Sequence, residues 1–281
     1  MKISDVKKLT TQKRFLYWIK ERESIRKKKE AKKSKPWTDD EIFVTYKFCN
    51  VRRMDDRVSQ WLLKNWFIPY YDHPNMLTAC TLAREINNTD SLEEIGFPNS
   101  WRPKRVQKIL ESRVERGLKV FSGAYMITGT LGGTKIEQVV NKVVTPIHKS
   151  KIKLNKNSMQ ESCTMLLPFA GFSHFISGQV IADMRQSSEG HWSDAKEWAP
   201  MGPGSKRGMN RLLGNDKDKP MKQDVFLGFL KDVIELVEKN LPEIALRLEA
   251  IDVQNCLCEF DKYSRTIFGE GRPKSKYPGG V

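Results

Sequence analysis

Three observations predict an all-α fold. Apolar residues recur at helical spacing along most of the chain, the joins between these stretches are short and polar, and no run shows the period-two alternation of a half-buried strand. The 281 residues are 39% apolar and 30% charged, enough apolar material for a substantial core. By length, one large domain or two small ones both fit.

Taken in order, residues 1–37 form a basic arm closed by Pro36. Thr38 and Glu41 then have capping-box spacing, which predicts a helix start. A stripe of Val44, Phe48, Val51, Val58 and Leu62 carries that helix to about Trp66, interrupted by Asp55, until Pro69 and Asp72-His73-Pro74 end it. Leu77, Leu82 and Ile86 predict a helix over 75–87, and Val106, Ile109, Leu110 and Val114 one over 102–116. Residues 119–128 are apolar but flanked by glycines, and read as an ordered loop or short buried turn. Helical patterns resume over about 134–145, 158–166, 169–186, 205–213, 221–240 and 249–267. The resulting division is a basic arm (1–37), a helical body (38–268) and a basic tail (269–281).

Charge gives the first functional clue. Of a net +15, residues 1–35 carry +10, from fourteen Lys/Arg against four Asp/Glu. Such an arm suits a polyanion, because neutralised phosphates release counterions; the same charge would also fit a solvated leader. A membrane-surface role is disfavoured, since Phe15, Leu16, Trp18 and Ile19 form only a short apolar cluster. No stretch approaches the ~18 apolar residues of a membrane span, and the polar start lacks a secretory h-region, so a cytoplasmic protein is expected. The five cysteines lack C-x-x-C spacing, and the four histidines have no metal spacing. Reduced, mostly buried thiols and no metal are therefore expected. Gly129 to Lys135 is glycine-rich but departs from a P-loop.

Four segments could carry chemistry. Gly202-Pro203-Gly204 makes a tight turn before Ser205, a natural N-cap, with Lys206 and Arg207 beside it; free N–H groups and cations there would suit a phosphate. Gln179 and Asp183 lie on or beside the apolar face of Phe172, Phe175, Ile176, Val180 and Met184, where polar groups must be paired or line a cavity. Asn255, Glu259 and Lys262/Tyr263 share one helical face, while Asp261 and Arg265 form an i,i+4 pair on another. Finally, Tyr46, Asn50, Arg53 and Arg57 line one side of the first long helix. Each has a plain alternative: a surface turn, a structural hydrogen bond, a surface ion pair or a solvated face.

Read in order, these segments resemble a known helical family. The residues carrying the resemblance are Phe48-Cys49-Asn50-Val51 with Arg53 and Asp56-Arg57-Val58, then Gly123-Ala124-Tyr125 and Phe172 to Asp183. Gly202-Pro203-Gly204 with Arg207-Gly208, Cys258 to Tyr263 with Arg265, and Gly269 to Tyr277 follow. The set is similar to the helical domain of 5-hydroxymethyluracil DNA kinases and to the alpha-glutamyl/putrescinyl thymine pyrophosphorylases (amino acid:DNA transferases) of bacteriophages. It spans roughly residues 40–278, with Asp55 and the long basic leader as departures.

The resemblance implies a two-lobed, helix-hairpin-helix DNA glycosylase-like fold that flips a base from double-stranded DNA. It also implies a cofactor-independent transferase. An amino acid or amine would join the 5-methylene of pyrophosphorylated 5-hydroxymethyluracil with release of diphosphate, in the host cytoplasm if the protein is viral. On that reading Asp183 or Glu259 is the base, and Asp261 is a further catalytic candidate. Asn50, Arg53, Asp56, Tyr125, Gln179 and Lys262 hold the substrate. Gly202, Gly204, Lys206, Arg207 and Arg265 hold phosphate. The rivals are a glycosylase acting on a modified base and a non-catalytic DNA-binding module.

Overall fold

The computed structural model describes residues 2–123 and 131–277. Among these every regular element is helical, apart from one isolated antiparallel bridge between Tyr46 and Lys276. In chain order the helices are α1 (Ile3–Lys8), α2 (Thr11–Glu30), α3 (Glu41–Thr45), α4 (Arg57–Leu62), α5 (Met76–Ile86), α6 (Thr89–Ile95) and α7 (Pro103–Glu115). Then come α8 (Lys135–Glu137), which continues as a π-helical stretch Gln138–Val144, α9 (Thr145–Ser150), α10 (Met159–Leu166) and α11 (His174–Met184). The last are α12 (Pro203–Leu212), α13 (Gln223–Asn240), α14 (Pro242–Ala245) and α15 (Ala250–Phe268). No helix among the described residues is long and apolar enough to cross a membrane. Contacts divide the chain into two compact units, one of Met1–Asp56 with Lys196–Val281 and the other of Arg57–Ala195.

The first unit is built on α2, α12, α13 and α15. The basic leader is not all solvated: α2 buries Phe15, Trp18, Ile19 and Ile25. Phe15 meets Phe260 edge-on at 5.3 Å, and Phe43 packs on Phe48 and Tyr263 at 5.2 Å each. Each such side chain contributes about 1.5–3 kcal/mol by leaving water. Tyr17 and Tyr263 both donate to Asp40 Oδ2, at 2.9 and 2.5 Å.

α12 approaches α15 unusually closely because of two glycines four residues apart. A Cβ on Gly204 would fall 2.3 Å from Cys258 Sγ, and one on Gly208 2.1 Å from the Leu257 carbonyl oxygen. Neither distance is possible for a real side chain.

The second unit centres on α5, buried from Thr78 to Ile86 and packed against α11 and the Gln138–Val144 stretch. Inside it, Arg84 and Asp183 form a two-point ion pair, with Arg84 Nη2 2.6 Å from Asp183 Oδ1. Asp194 clamps the start of α10 by accepting from the Met159 amide at 2.7 Å and the Ser158 hydroxyl at 2.9 Å.

The helices expected over 75–87, 102–116, 158–166, 221–240 and 249–267 match α5, α7, α10, α13 and α15. Three expectations are corrected. The helix expected from Thr38 to Trp66 is broken in the middle: it runs over Glu41–Thr45, where Asp40 caps it by accepting from the Ile42 and Phe43 amides, and helix resumes over Arg57–Leu62 and Leu63–Phe67. The intervening chain is captured by side chains of α2 and α15, so Tyr46, Asn50, Arg53 and Arg57 do not share a helical face. Gly202, not Ser205, is the N-cap of α12; Ser205 lies inside the helix, and its Oγ accepts from the Gly202 amide at 2.9 Å. The helix expected over 169–186 starts only at His174, after Ser173 accepts from the Ile176 amide.

Candidate active site

The first unit gathers the largest set of expected residues where the chain leaves helix between Tyr46 and Arg53. Here the backbone has no regular partner, and its polar groups must still be satisfied. Arg22 of α2 takes the carbonyl side, its Nε donating to Phe48 O at 3.3 Å and Cys49 O at 3.0 Å. Carboxylates take the amide side: Cys49 N–H donates to Glu259 Oε2 at 3.0 Å and Asn50 N–H to Asp56 Oδ1 at 2.9 Å. Asn50 closes the turn, donating to the Asp55 carbonyl at 2.7 Å and accepting from Arg22 Nη2 at 2.5 Å. Arg53 N–H donates to Asp252 Oδ1 at 2.7 Å, fixing the other end to the first turn of α15.

Two acids, Asp56 and Glu259, thus meet at one short loop. Burial raises the Asp56 carboxyl to about 6, with the negative charge of Glu259 adding to the rise and the Asn50 amide, Arg22 and Arg53 opposing it. Lys262 is the counter-ion, its Nζ 2.9 Å from Glu259 Oε2 and 4.9 Å above the Phe48 ring. Glu259 and burial push the Cys49 thiol well above its usual range, so it is a poor nucleophile. A carboxyl poised near neutrality beside Glu259 and Lys262 can exchange a proton with a bound ligand.

A second cluster lies along the α12–α15 contact. Asp261 is buried and receives Arg207 Nε and Arg211 Nε, each at 2.9 Å, with Arg265 Nε 3.3 Å away. Arg211 also pairs with Glu270. Three guanidiniums and two carboxylates leave a cationic surplus, to which the neighbouring Lys206 adds. The glycines here serve another purpose than the sequence suggests. Gly204 is needed for helix packing, and the Gly202 amide is already spent on Ser205.

Gln179 and Asp183 belong to the second unit, both buried on α11. Asp183 is held by Arg84 and Asp261 by its arginines, so neither carboxylate stands open as a base. Tyr125 lies outside the described residues. Sequence reading missed Arg22 and Asp252. The Arg22 position inside the apolar stripe of Trp18 and Ile25 was the available signal. None of the five cysteines is in a disulfide, and three are buried. Among the described residues no group of His, Cys, Asp and Glu is arranged to hold a metal ion.

Residues 10–272 match the family described as 5-hmdU DNA kinase, helical domain. The chain belongs to that family. A curated relative, the 5-hmdU DNA kinase of Bacillus phage SP10, is 27% identical over 261 residues, covering 82% of this chain. The match spans 41% of the relative's length, so the whole relative's activity does not transfer with the family. No solved structure matches the chain.

Proposed function

We propose that this protein acts in bacteriophage DNA hypermodification. In that reading it is a transferase joining an amino acid or amine to the 5-methylene of pyrophosphorylated 5-hydroxymethyluracil in double-stranded DNA. The name of the phage relative points to 5-hydroxymethyluracil DNA as the substrate class. The observation that carries the reading is the Asp56–Glu259 acid pair beside Lys262, within a chain of that family.

The reaction is a displacement at carbon. The donor nitrogen forms a C–N bond to the methylene carbon as the C–O bond to diphosphate breaks, and that bonding pair leaves with the diphosphate. The proton lost by nitrogen passes to the Asp56–Glu259 pair, which is poised for it. Asn50 and Arg53, on the same loop, hold the substrate, and Lys262 pairs with Glu259. Lys206, Arg207 and Arg265 receive the diphosphate, their surplus charge offsetting what develops on the leaving group. A two-lobed, base-flipping architecture like that of helix-hairpin-helix glycosylases completes the proposal.

Nucleoside mass spectrometry tests it, using pyrophosphorylated 5-hydroxymethyluracil DNA with pooled amino acids and polyamines. A new adduct with stoichiometric diphosphate is expected. Unchanged nucleosides alongside tight DNA binding would replace the proposal with a binding module, and abasic sites would replace it with a glycosylase.

A further inference from the structure

The first unit holds a cavity of about 750 Å³ between α2 and the turn joining α13 to α14, within the range of ligand-sized clefts. Leu241, Pro242 and Ile244 contribute its apolar surface. Along α2 it is lined by Lys20, Glu23, Ser24, Lys27 and Lys28, and Ala31 and Lys33 extend the row beyond the helix end.

What sets this groove apart is how its charges are spent. Of the acids of α2, Glu23 lines the groove but is bound by Arg26 and Arg247. Glu30, paired with Arg26, and Glu21, which accepts from the neutral Thr38 hydroxyl at 2.5 Å, lie outside the lining. The four lining lysines make no ion pair among the described residues. Lys28 donates to the Trp37 carbonyl at 2.6 Å, a neutral acceptor that leaves its charge uncompensated. Glu243 is the lining acid without a cationic partner among the described residues. The groove therefore carries a net positive charge that its own unit does not neutralise.

We propose that this groove seats the phosphodiester backbone of DNA, as a binding surface additional to the acid pair at Asp56 and Glu259. From Lys20 to Lys28 the helix rises ~12 Å, the length of about three or four phosphates along one strand. Lysines are point charges on flexible stems, suited to following a backbone without reading sequence. A small anion would instead be met by a converging arginine fork or several amides, and the groove contains neither. A flat bilayer cannot reach apolar residues that lie within a cleft. The opposite side of α2 supplies Arg22 to the Phe48–Asn50 loop, so one helix carries both the DNA seat and a support of the acid pair. The proposal does not depend on which reaction follows, because it concerns binding to unmodified DNA.

The test is anisotropy of a labelled, unmodified duplex titrated with the full chain across a salt series. The variant carries Lys20→Gln, Lys27→Gln, Lys28→Gln and Lys33→Gln together. A double variant, Lys20→Gln/Lys27→Gln, spares the Lys28–Trp37 bond and covers any folding defect of the quadruple. Wild type is expected to show the steeper loss of affinity with salt. Its log–log slope should exceed that of the quadruple variant by about 3 to 4 and that of the double by about 2. Between about 50 and 200 mM salt, wild type should therefore lose ~100-fold more affinity than the quadruple variant. Equal slopes, or no duplex binding by wild type, would overturn the proposal. So would lysine-dependent binding to phosphatidylserine vesicles in place of DNA. Loss of adduct formation with the salt slope intact would instead count against the transferase reading alone.

Discussion

Glu85 offers the sharpest test of the energetics. It lies on α5 in the second unit, 2% exposed, and neither carboxylate oxygen has a hydrogen-bond partner among the described residues. Burial raises its carboxyl from 4.5 to about 7, with the charge of Lys135 opposing the rise. The folded state therefore holds a proton that the unfolded chain releases near 4.5. Between these values the native state binds more protons than the unfolded one, so stability falls as pH rises through the window and levels off above about 7. At ~1.4 kcal/mol per pH unit the gap corresponds to about 3 kcal/mol. Glu85→Gln keeps the shape and removes the ionisation. Urea unfolding of both proteins, at about pH 5 and about pH 8, measures the effect. Relative to wild type, the variant should gain about 3 kcal/mol between the two conditions. Asp252, raised to about 6 chiefly by burial, has the same sign and is present in both proteins, so it cancels. Parallel stability curves for wild type and variant would refute the argument.

Other perturbations follow from the same geometry. Asp56→Asn and Glu259→Gln should each lower the rate of adduct formation about 10²- to 10⁴-fold, read as diphosphate release; full activity in both would remove the acid pair from the mechanism. Asp183→Ala leaves Arg84 buried without its counter-charge and should cost about 3–5 kcal/mol, measured by urea unfolding, with partial recovery in Arg84→Met/Asp183→Leu. Gly208→Ala puts a methyl group against the Leu257 carbonyl and should destabilise by about 1–3 kcal/mol or more, seen as a lower melting temperature.

Much of the fold was legible because α7, α10 and α13 each bury one stripe, which periodicity reports directly, while α5 and α15, buried on most sides, still carry apolar residues at helical spacing. It failed at residues 46–56 for a physical reason. Val44, Phe48 and Val51 have helical spacing, but the amides of Cys49 and Asn50 are taken by Glu259 and Asp56, acids that helical hydrogen bonding would have shut out. Glu259 lies 210 residues from Cys49, and no local pattern records such a bond. The Gly202-Pro203-Gly204-Ser205 turn misled differently. Glycine there signals either an anion or close helix packing, and only the 2.3 Å approach to Cys258 decides for packing at Gly204. Asp261 was legible as the i,i+4 partner of Arg265, a contact of 3.3 Å in the structure, whereas Arg84 on Asp183 and Arg207 and Arg211 on Asp261 come from elements distant in sequence.

The placement of Arg22 ties these features to the chemistry. A long, basic leader helix could attach to DNA without influencing anything else in the chain. Here, however, α2 turns Trp18 and Phe15 into the core and presents Arg22 to three groups of the Phe48–Asn50 loop. The amides of that same loop are what hold Glu259 and Asp56 in register. Removing Arg22 would orphan two buried carbonyls and the Asn50 side chain at once, at a cost of about 1–3 kcal/mol per unsatisfied group. That cost falls on the loop rather than on the helix, whose apolar contacts remain. The acid pair is therefore the part of the first unit most exposed to changes in α2. An Arg22→Met variant is expected to lose kcat for adduct formation and to melt at a lower temperature, and full activity in it would separate α2 from the acid pair.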